Sequence, residues 1–518
     1  MLAMTSGQVG FFDAAELARP LPEGSFFALL AEHGQRIVRD EDFAACYSPR
    51  MGRPSIPPSQ LAKVLLLQYR TGASDEQAME CVGWDLRWKI ALGLAVDHPG
   101  WHPTSLTRFR ARLLLHRLER LVLERSLELA EELGMLEEPV EQIIDSTAML
   151  GAAATQDTVR LVRHGVRKLL DAVAAVDADA AGQLDRALEF DYARPHEKPD
   201  CRWRERAERE RMLTRVAQDA ERALQAVEQA DGLLADAAVG DAQRLLRELI
   251  GQDFDVDDDG VPRLYRGTRA DRIISTVDPE MRHGRKSQHQ RFDGYKLSAA
   301  VTNTREPLIT AVEVAPASEQ DGPQAKHLID AQPAVRRPPR VLGDTAYGTG
   351  PVRAELADRG VDVLARLAPG MTKPGRLCKR DFHVDLDAGT VSCPAGETAP
   401  IRTEPKGARR ARFAKAACDR CALRDGCVQP AGGFKAVLLA PEEELLIAAR
   451  QALDDPPTAE HLRRTRPRVE RLLGLLAHRY KGRRSRYIGT AKARLQAAWT
   501  AALVNLNPIS RHLAAHTA

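Results

Sequence analysis

Long apolar runs are missing from this sequence. No stretch approaches the ~18 uncharged apolar residues that a membrane-spanning helix requires, so a membrane span is not expected. The opening residues, MLAMTSGQVGFFDAAELARP, lack a basic segment followed by an unbroken apolar core. That argues against a signal peptide and makes the cytoplasm the expected location. A disulfide framework is not expected either. Of eight cysteines, Cys46, Cys81 and Cys201 are scattered, while Cys378, Cys393, Cys418, Cys421 and Cys427 crowd one region. In a large chain without a secretory signal, such crowding reads as metal binding or free thiols. Acids are scarce in one segment: Arg463 to Arg494 holds twelve Lys/Arg and one acid, Glu470. The formal net charge of +3 conceals this cluster. A solvated helix face usually interleaves acids with bases, so their absence points to a polyanion nearby. No partnered His lies near Ser146 and Thr147, which speaks against a nucleophilic triad there.

What is present fits a globular protein of two to four domains: 518 residues, 44% hydrophobic and 28% charged. The first 135 residues read as helical. Pro57 and Pro58 precede an apolar-periodic helix over 59–69, Gly72 marks a turn, and Ser74 is placed to cap a short helix. In WHPTSLTRFRARLLLHRL, Thr104 or Ser105 would cap a helix carrying Arg108, Arg110 and Arg112. Helix, tight turn, helix and basic helix are compatible with helix-turn-helix DNA binding, and equally with an ordinary helical bundle. Trp84, Trp88 and Trp101 are expected to pack between helices rather than stack on bases.

Residues 138–150 read as a strand, and 155–255, rich in Ala, Leu, Glu and Arg, as an insertion of two to four helices. Two β-rich runs, 295–302 and 307–315, flank a turn at NTREP. PRVLGD is another short strand; a helix to about Asp358, a cap at Gly360 and a strand over 361–366 follow. This order implies a mixed sheet with helical packing. The cysteines occupy 370–450, and a helical end runs over 458–515.

Two strands end in the same way. QIIDSTAML buries Ile143 and Ile144 and then presents Asp145; RVLGDTAYGTG buries Val341 and Leu342 and then presents Asp344. A strand-end Asp is ordinarily a turn residue. The third acid is Glu470, in RTRPRVERLLGLLAHRYKG. Thr465 and Pro467 fit a helix start there, and Val469, Leu472, Leu473 and Leu476 form its apolar face. Glu470 lies on the border of that face, in line with Arg463, Arg466, Leu473 and Ala477, and could equally pair with Arg466. Three converging carboxylates would repel one another, and hard divalent cations compensate them. Two such ions can hold the attacking and leaving oxygens of a phosphodiester. A carboxylate that ends a buried strand is rigidly held at the sheet's edge, where a metal reaches it.

In the cysteine-rich region, SCP and CDRCALRDGC supply Cys393, Cys418, Cys421 and Cys427. Cys-x2-Cys is a half-site for tetrahedral Zn²⁺, with Cys378 or His383 as substitute ligands. The alternative is free thiols in a small β-rich insertion. Lys296, in HQRFDGYKL, could touch DNA phosphate or snorkel from its strand, the commoner case.

Taken together, SPRMGRPSIPPSQLAKVLLLQYRTGASDEQAMECVGWDLRWKIALGL, TSLTRFRARL, IIDSTAM, DPEMRHGRKSQHQRFDGYKLS, VLGDTAYG and RPRVERLLGLLAHRYKGRRSRYIGTAKARLQAAWTAALVNL carry a resemblance over nearly the whole chain. The sequence resembles the DDE transposases of bacterial insertion sequences, of the insertion-sequence-five/eleven-eighty-two type. The resemblance implies an α+β protein whose ribonuclease H-like catalytic domain is interrupted by a helical and a Cys-rich insertion and preceded by an all-helical DNA-binding-type domain. The segments would be 1–135 helical, 136–154 first catalytic strand, 155–255 helical insertion, 256–369 catalytic core, 370–450 Cys-rich insertion and 451–518 Glu helix with basic helices. It further implies Asp145, Asp344 and Glu470 as catalytic ligands of two Mg²⁺ or Mn²⁺ ions. The implied activity is cleavage and strand transfer at terminal inverted repeats: water cuts a strand, and the 3′-hydroxyl released attacks target DNA. Partners would be repeat and target DNA and a second copy in a synaptic homodimer, nucleoid-associated in a bacterial cytoplasm. Related transposases often show Tyr-x2-Arg-x3-Glu-x6-Lys around the Glu; here Arg466 and Glu470 keep the spacing, but Arg463 and Ala477 stand in the Tyr and Lys positions. Lys481, Arg483, Arg484 and Arg486 could replace the lost charge, joining Arg466, Lys296, Arg108 and Arg110 as DNA-contacting candidates. A catalytically silent DNA-binding derivative and a metal-dependent nuclease of the same fold are the competing readings.

Overall fold

The computed structural model describes residues 1–4, 21–22, 24–48, 50, 52–136, 139–230, 232–287, 289–368, 375–405, 407–428 and 433–517. Most of the amino-terminal segment read against a signal peptide lies outside them. Among the described residues, six α-helices come first: α1 (Phe26–Ile37), α2 (Pro58–Thr71), α3 (Asp75–Trp84), α4 (Leu86–Leu92), α5 (Thr104–Leu115) and α6 (Leu121–Glu132). Pro58 opens α2 and Gly72, at φ +74°, closes it. This helix is enclosed on nearly all sides, so its polar side chains need internal partners. Gln60 donates to Leu92 O (3.1 Å), Lys63 to Ala91 O (3.3 Å) and Gln68 to Asp75 Oδ1 (2.7 Å). Ser74 caps α3 in a capping box with Gln77, as the sequence predicts.

Three expectations for this region change. A separate helix, α4, intervenes before the basic helix α5, so the order is not a plain helix, turn, helix and basic helix. Pro103, not Thr104 or Ser105, stands at the cap of α5, and the first amide of the helix, Thr104 N, donates instead to His102 Nδ1 (3.3 Å). Trp88 is buried and Trp101 packs against the core, but Trp84, the last residue of α3, is 86% exposed.

β1 (Gln142–Leu150) enters next, followed by the helical insertion: α7 (Thr158–Val176), α8 (Ala178–Ala187), α9 (Arg206–Gln229) and α10 (Ala237–Asp253). These four enclose a core of their own, with a small hairpin, β2 (Phe254–Val256) and β3 (Pro262–Leu264), against it. The main sheet then continues with β4 (Arg282–Arg285), β5 (Arg291–Thr302), β6 (Ile309–Pro316), α11 (Gln324–Asp330), β7 (Arg340–Gly343), α12 (Gly350–Ala357) and β8 (Asp362–Ala365). β4 and β6 both pair with β5, which pairs with β1; the first three partnerships are antiparallel, whereas β1–β7 and β7–β8 are parallel. A mixed sheet in this order, covered by helices, is the ribonuclease H-like α+β architecture.

A second, five-stranded antiparallel sheet follows: β9 (His383–Asp385), β10 (Thr390–Ser392), β11 (Thr398–Thr403), β12 (Arg409–Arg412), the one-turn helices α13 (Lys415–Asp419) and α14 (Arg424–Cys427), and β13 (Ala436–Leu439). The chain ends with α15 (Glu443–Asp454), α16 (Pro456–Thr465), α17 (Pro467–Gly474), a π-helical turn over Leu475–Arg479, and α18 (Thr490–Thr517). Helix α18 packs along β6 and α6. Asn505 fixes it there, accepting from Ile309 N (2.8 Å) and donating to Ile309 O (2.9 Å).

Gly294 sets the β1–β5 register where β1 ends, opposite Leu150. It adopts φ +142°, and an added Cβ would overlap backbone atoms of Met149 and Gly151. Gly360, at φ +73°, has open space around the same position. Gly294→Ala should therefore cost about 3 kcal/mol or more, against roughly 1 kcal/mol for Gly360→Ala. Denaturant unfolding of both variants checks this, and equal losses would show that the close approach at β1 is not rigid.

Candidate active site

The parallel register between β1 and β7 sets Ile143 opposite Leu342. Two residues further along, Asp145 comes level with Asp344, the first residue beyond β7. Ile143 packs into the core beneath α17 and α18, and Ile144 into the core on the opposite face beneath α11 and α12. Strand alternation therefore projects Asp145 on the face of Ile143, toward α17. Each Asp is fixed by a backbone amide: Asp145 Oδ1 accepts from Ser146 N (2.8 Å) and Asp344 Oδ1 from Ala346 N (2.8 Å). Asp344 thus fills the turn role expected of a strand-end Asp and still faces Asp145.

Glu470 arrives on α17. The expected start at Thr465 is not a cap: Thr465 closes α16 and Arg466 keeps helical angles, so the two helices run on with Pro467 first in α17. Val469, Leu472, Leu473 and Leu476 are all buried, as their spacing predicts, while the Glu470 side chain is 60% exposed. The Arg466 guanidinium stands between the first and third acids, 3.5 Å from Asp145 Oδ2 and 3.8 Å from Glu470 Oε1. Burial pushes the Asp145 carboxyl up to about 6; the Ser146 amide and Arg466 pull it down, and the charges of Asp344 and Glu470 push it up. The three acids therefore share one electrostatic neighbourhood. Among the described residues, no three His, Cys, Asp or Glu side chains stand, as placed, close enough together to hold a metal ion.

The segment carrying Glu470 follows β1 along its length. At the start of the strand, His461 pairs with Glu141 (2.7 Å), and Arg468 donates to Asn303 Oδ1 (2.6 Å). Arg466 meets Asp145 in the middle. At the far end, Leu150 N donates to Arg483 O (2.7 Å) and Ser485 N to Leu150 O (2.8 Å), stitching the basic loop to the strand. The π turn before that loop and Lys481 at φ +55° make the bend possible. Sequence reasoning missed Asp321, which accepts from Ser146 Oγ (2.9 Å) and pairs with Lys296 (3.1 Å) beneath β1. Its setting, SEQDG, reads only as a turn. Glu141, Asn303 and His461 carried no signal either, because their roles arise from pairings across the fold.

The basic candidates divide. Lys481, Arg483, Arg484 and Arg108 are exposed. Three others are engaged within the protein. Arg110 pairs with Asp75 (2.5 Å) and stacks on Tyr487; Lys296 also donates to Glu319 O (2.7 Å); Arg486 donates to Ala73 O over the Tyr69 ring. These contacts give Arg110, Lys296 and Arg486 structural duties that their sequence setting did not reveal. Cys393, Cys418, Cys421 and Cys427 line one cavity, which Cys378 and His383 do not reach.

β1 runs on past Asp145 to Leu150, so this acid lies within its strand rather than at its end as the sequence suggested, and only Asp344 follows a strand end. A ribonuclease H-like sheet with one acid inside β1 and another just beyond the adjacent parallel strand β7, next to a basic loop, defines the class. Comparison with known families narrows it: a transposase domain matches residues 16–112 and a transposase DDE domain matches residues 251–506. The chain belongs to the DDE transposases of insertion-sequence type. No curated protein and no solved structure matches it significantly. The second match opens in the last turn of α10, at the end of the helical insertion, so Asp145 lies outside it; the sheet nonetheless seats β1 between β5 and β7. Among the described residues no helix is long and apolar enough to cross a membrane.

Because its folded value lies above the ordinary 3.8, Asp145 costs stability once ionised: nothing below about pH 4, and in full above about pH 6. Metal-free Asp145→Asn should melt above the wild type at pH 7.5, by a difference on the order of 3 kcal/mol, and match it near pH 4. Equal melting in chelator at both pH values would show that this carboxylate is not strained by its burial.

Proposed function

We propose that this protein cuts and joins DNA at the terminal inverted repeats of an insertion sequence of the insertion-sequence-five/eleven-eighty-two type, with Asp145, Asp344 and Glu470 as its catalytic acids. The observation that carries this reading is one guanidinium, Arg466, spanning Asp145 and Glu470 while Asp344 stands level with Asp145 on the adjacent strand. One guanidinium against three carboxylates leaves the cluster short of positive charge, and the carboxylate donors are all hard oxygens, which suit Mg²⁺ or Mn²⁺. Asp145, Asp344 and Glu470 would hold the metal, which supplies Lewis acidity toward a phosphate oxygen and acidifies bound water.

The protein's own groups do the rest. The two aspartates are held still by strand backbone and amide hydrogen bonds, so they do not reorganise as charge develops. Glu470, exposed on α17, closes the open side of the cluster; Arg468 of that helix is held by Asn303 just after β5, and His461 of the preceding α16 by Glu141 just before β1. Arg466, with its guanidinium beside both Asp145 and Glu470, would pair with a phosphate of DNA bound over the acids. Lys481, Arg483 and Arg484, bonded through the loop backbone to the end of β1, lie where a duplex reaching the acids would pass. The loop is braced against the amino-terminal helices by the Tyr69–Tyr487 hydroxyl contact (3.0 Å), so both regions can address one DNA end. Pairing of two ends would use a homodimer.

The test is cleavage and joining of DNA bearing the repeats that flank the gene. Wild type should cut in Mg²⁺ or Mn²⁺, and Asp145→Asn, Asp344→Asn and Glu470→Gln should each lose roughly 10²-fold or more. Retained cutting by any variant removes that residue from the mechanism. Cutting without joining would indicate a nuclease, and repeat binding without cutting a silent DNA-binding derivative. Lys481→Ala, Arg483→Ala and Arg484→Ala should each make the slope of log affinity against log salt shallower by about 0.9, the signature of one lost phosphate contact. An unchanged slope takes that residue off the DNA path.

A further inference from the structure

The module built from β9 to β13 folds around a small core. Its buried apolar side chains are few, led by Phe382 and Phe413, with Val391, Val437 and Leu439. Cores this small ordinarily need a disulfide or metal staple. No disulfide supplies one, because all the cysteines are free.

Four thiols converge where a staple would act. Cys393 sits on the tight turn after β10: Cys393 N donates to Glu397 O (2.8 Å) and Gly396 N to Cys393 O (2.9 Å), with Gly396 at φ +87°. Cys418 and Cys421 straddle the turn after α13, where Leu423 N points its hydrogen at Cys421 Sγ (3.4 Å). Cys427 ends α14, and Lys435 holds that end by donating to Cys427 O (3.2 Å). Cys393, Cys418, Cys421 and Cys427, with Phe382 and Phe413, line a cavity of about 30 Å³. That volume admits an ion and excludes an organic ligand. Burial raises the Cys427 thiol, Lys435 lowers it, and Cys418, Cys421 and Cys393 each raise it again, so all three sulfurs lie within electrostatic reach. As placed, the sulfurs are not drawn to ligand distance.

We propose that Cys393, Cys418, Cys421 and Cys427 bind one Zn²⁺ as a closed, structural tetrathiolate site. Soft sulfur donors select zinc over the hard cations suited to carboxylates. Each thiol releases its proton to solvent as the metal binds. Lys435 and Arg424, both lining the cavity, offset the net negative charge of the tetrathiolate. The site also bears on Glu470 through the chain: Lys379 of the module pairs with the fully buried Glu443, which Arg450 of α15 also reaches (3.2 Å). Fixing the module therefore fixes the entry of the helices that lead to Glu470.

Full-length protein purified without chelator should carry one zinc per chain. Cobalt loading should give a thiolate-to-metal charge-transfer band with tetrahedral d–d absorption. Cys421→Ser should lose most of the metal, whereas Cys201→Ser, outside the cluster, should keep it; chelation should lower the melting temperature of the wild type. Wild-type protein that holds almost no zinc and shows no cobalt–thiolate band would overturn the site, as would unchanged zinc in Cys421→Ser. The cobalt spectrum needs no variant, so a misfolded mutant leaves the proposal open to refutation.

Discussion

The placement of β1 between β5 and β7 is the constraint on which the rest of the molecule depends. One parallel register, with Ile143 opposite Leu342, makes two acids separated by about two hundred residues into neighbours. A slip of one residue would send Asp145 to the other face, away from α17. Long antiparallel pairing with β5 resists that slip, and Gly294 lets the two backbones approach where the strand ends. The helical insertion of four helices interrupts the chain between β1 and its partners without disturbing the pairing, because it carries a separate core.

Charge sets the second constraint. Asp145 is largely buried beside two other acids, and Arg466 is the nearby cation that reaches both Asp145 and Glu470. This guanidinium is the counter-ion that holds Asp145 and Glu470 together. Asp145 within β1 and Asp344 just beyond β7 are each held by a backbone amide, whereas Glu470 faces solvent from a helix. Exposed Lys481, Arg483 and Arg484 continue positive charge along the same edge, while Arg486 and Arg110 brace the loop against the amino-terminal helices.

Much of this was legible before any coordinates. Apolar periodicity located the Glu470 helix and its buried Val469, Leu472, Leu473 and Leu476, and alternating apolar runs located the strands, because burial of one face leaves a period in the sequence. Capping chemistry located α3, whose Ser74 and Gln77 are local partners. Local rules failed at Thr465, where α16 runs straight into α17, and at Thr104, where Pro103 occupies the cap. They failed for Trp84 because composition says that a large apolar residue prefers burial, not whether a neighbouring element comes to cover it. Asp321 and the Glu141–His461 pair were invisible for a related reason: their partners are remote in the chain, and an acid in a turn looks the same with or without one.

By itself the sequence determined the elements, the three acids, the basic segment and the thiol cluster, since each is written in residue type and short-range spacing. Tertiary structure alone decided that β1 lies level with β7, that Arg466 bridges Asp145 and Glu470, and that Arg110, Lys296 and Arg486 turn inward. Periodicity records which side of an element is buried, whereas register and ion pairing are settled only when distant segments compete for the same surface.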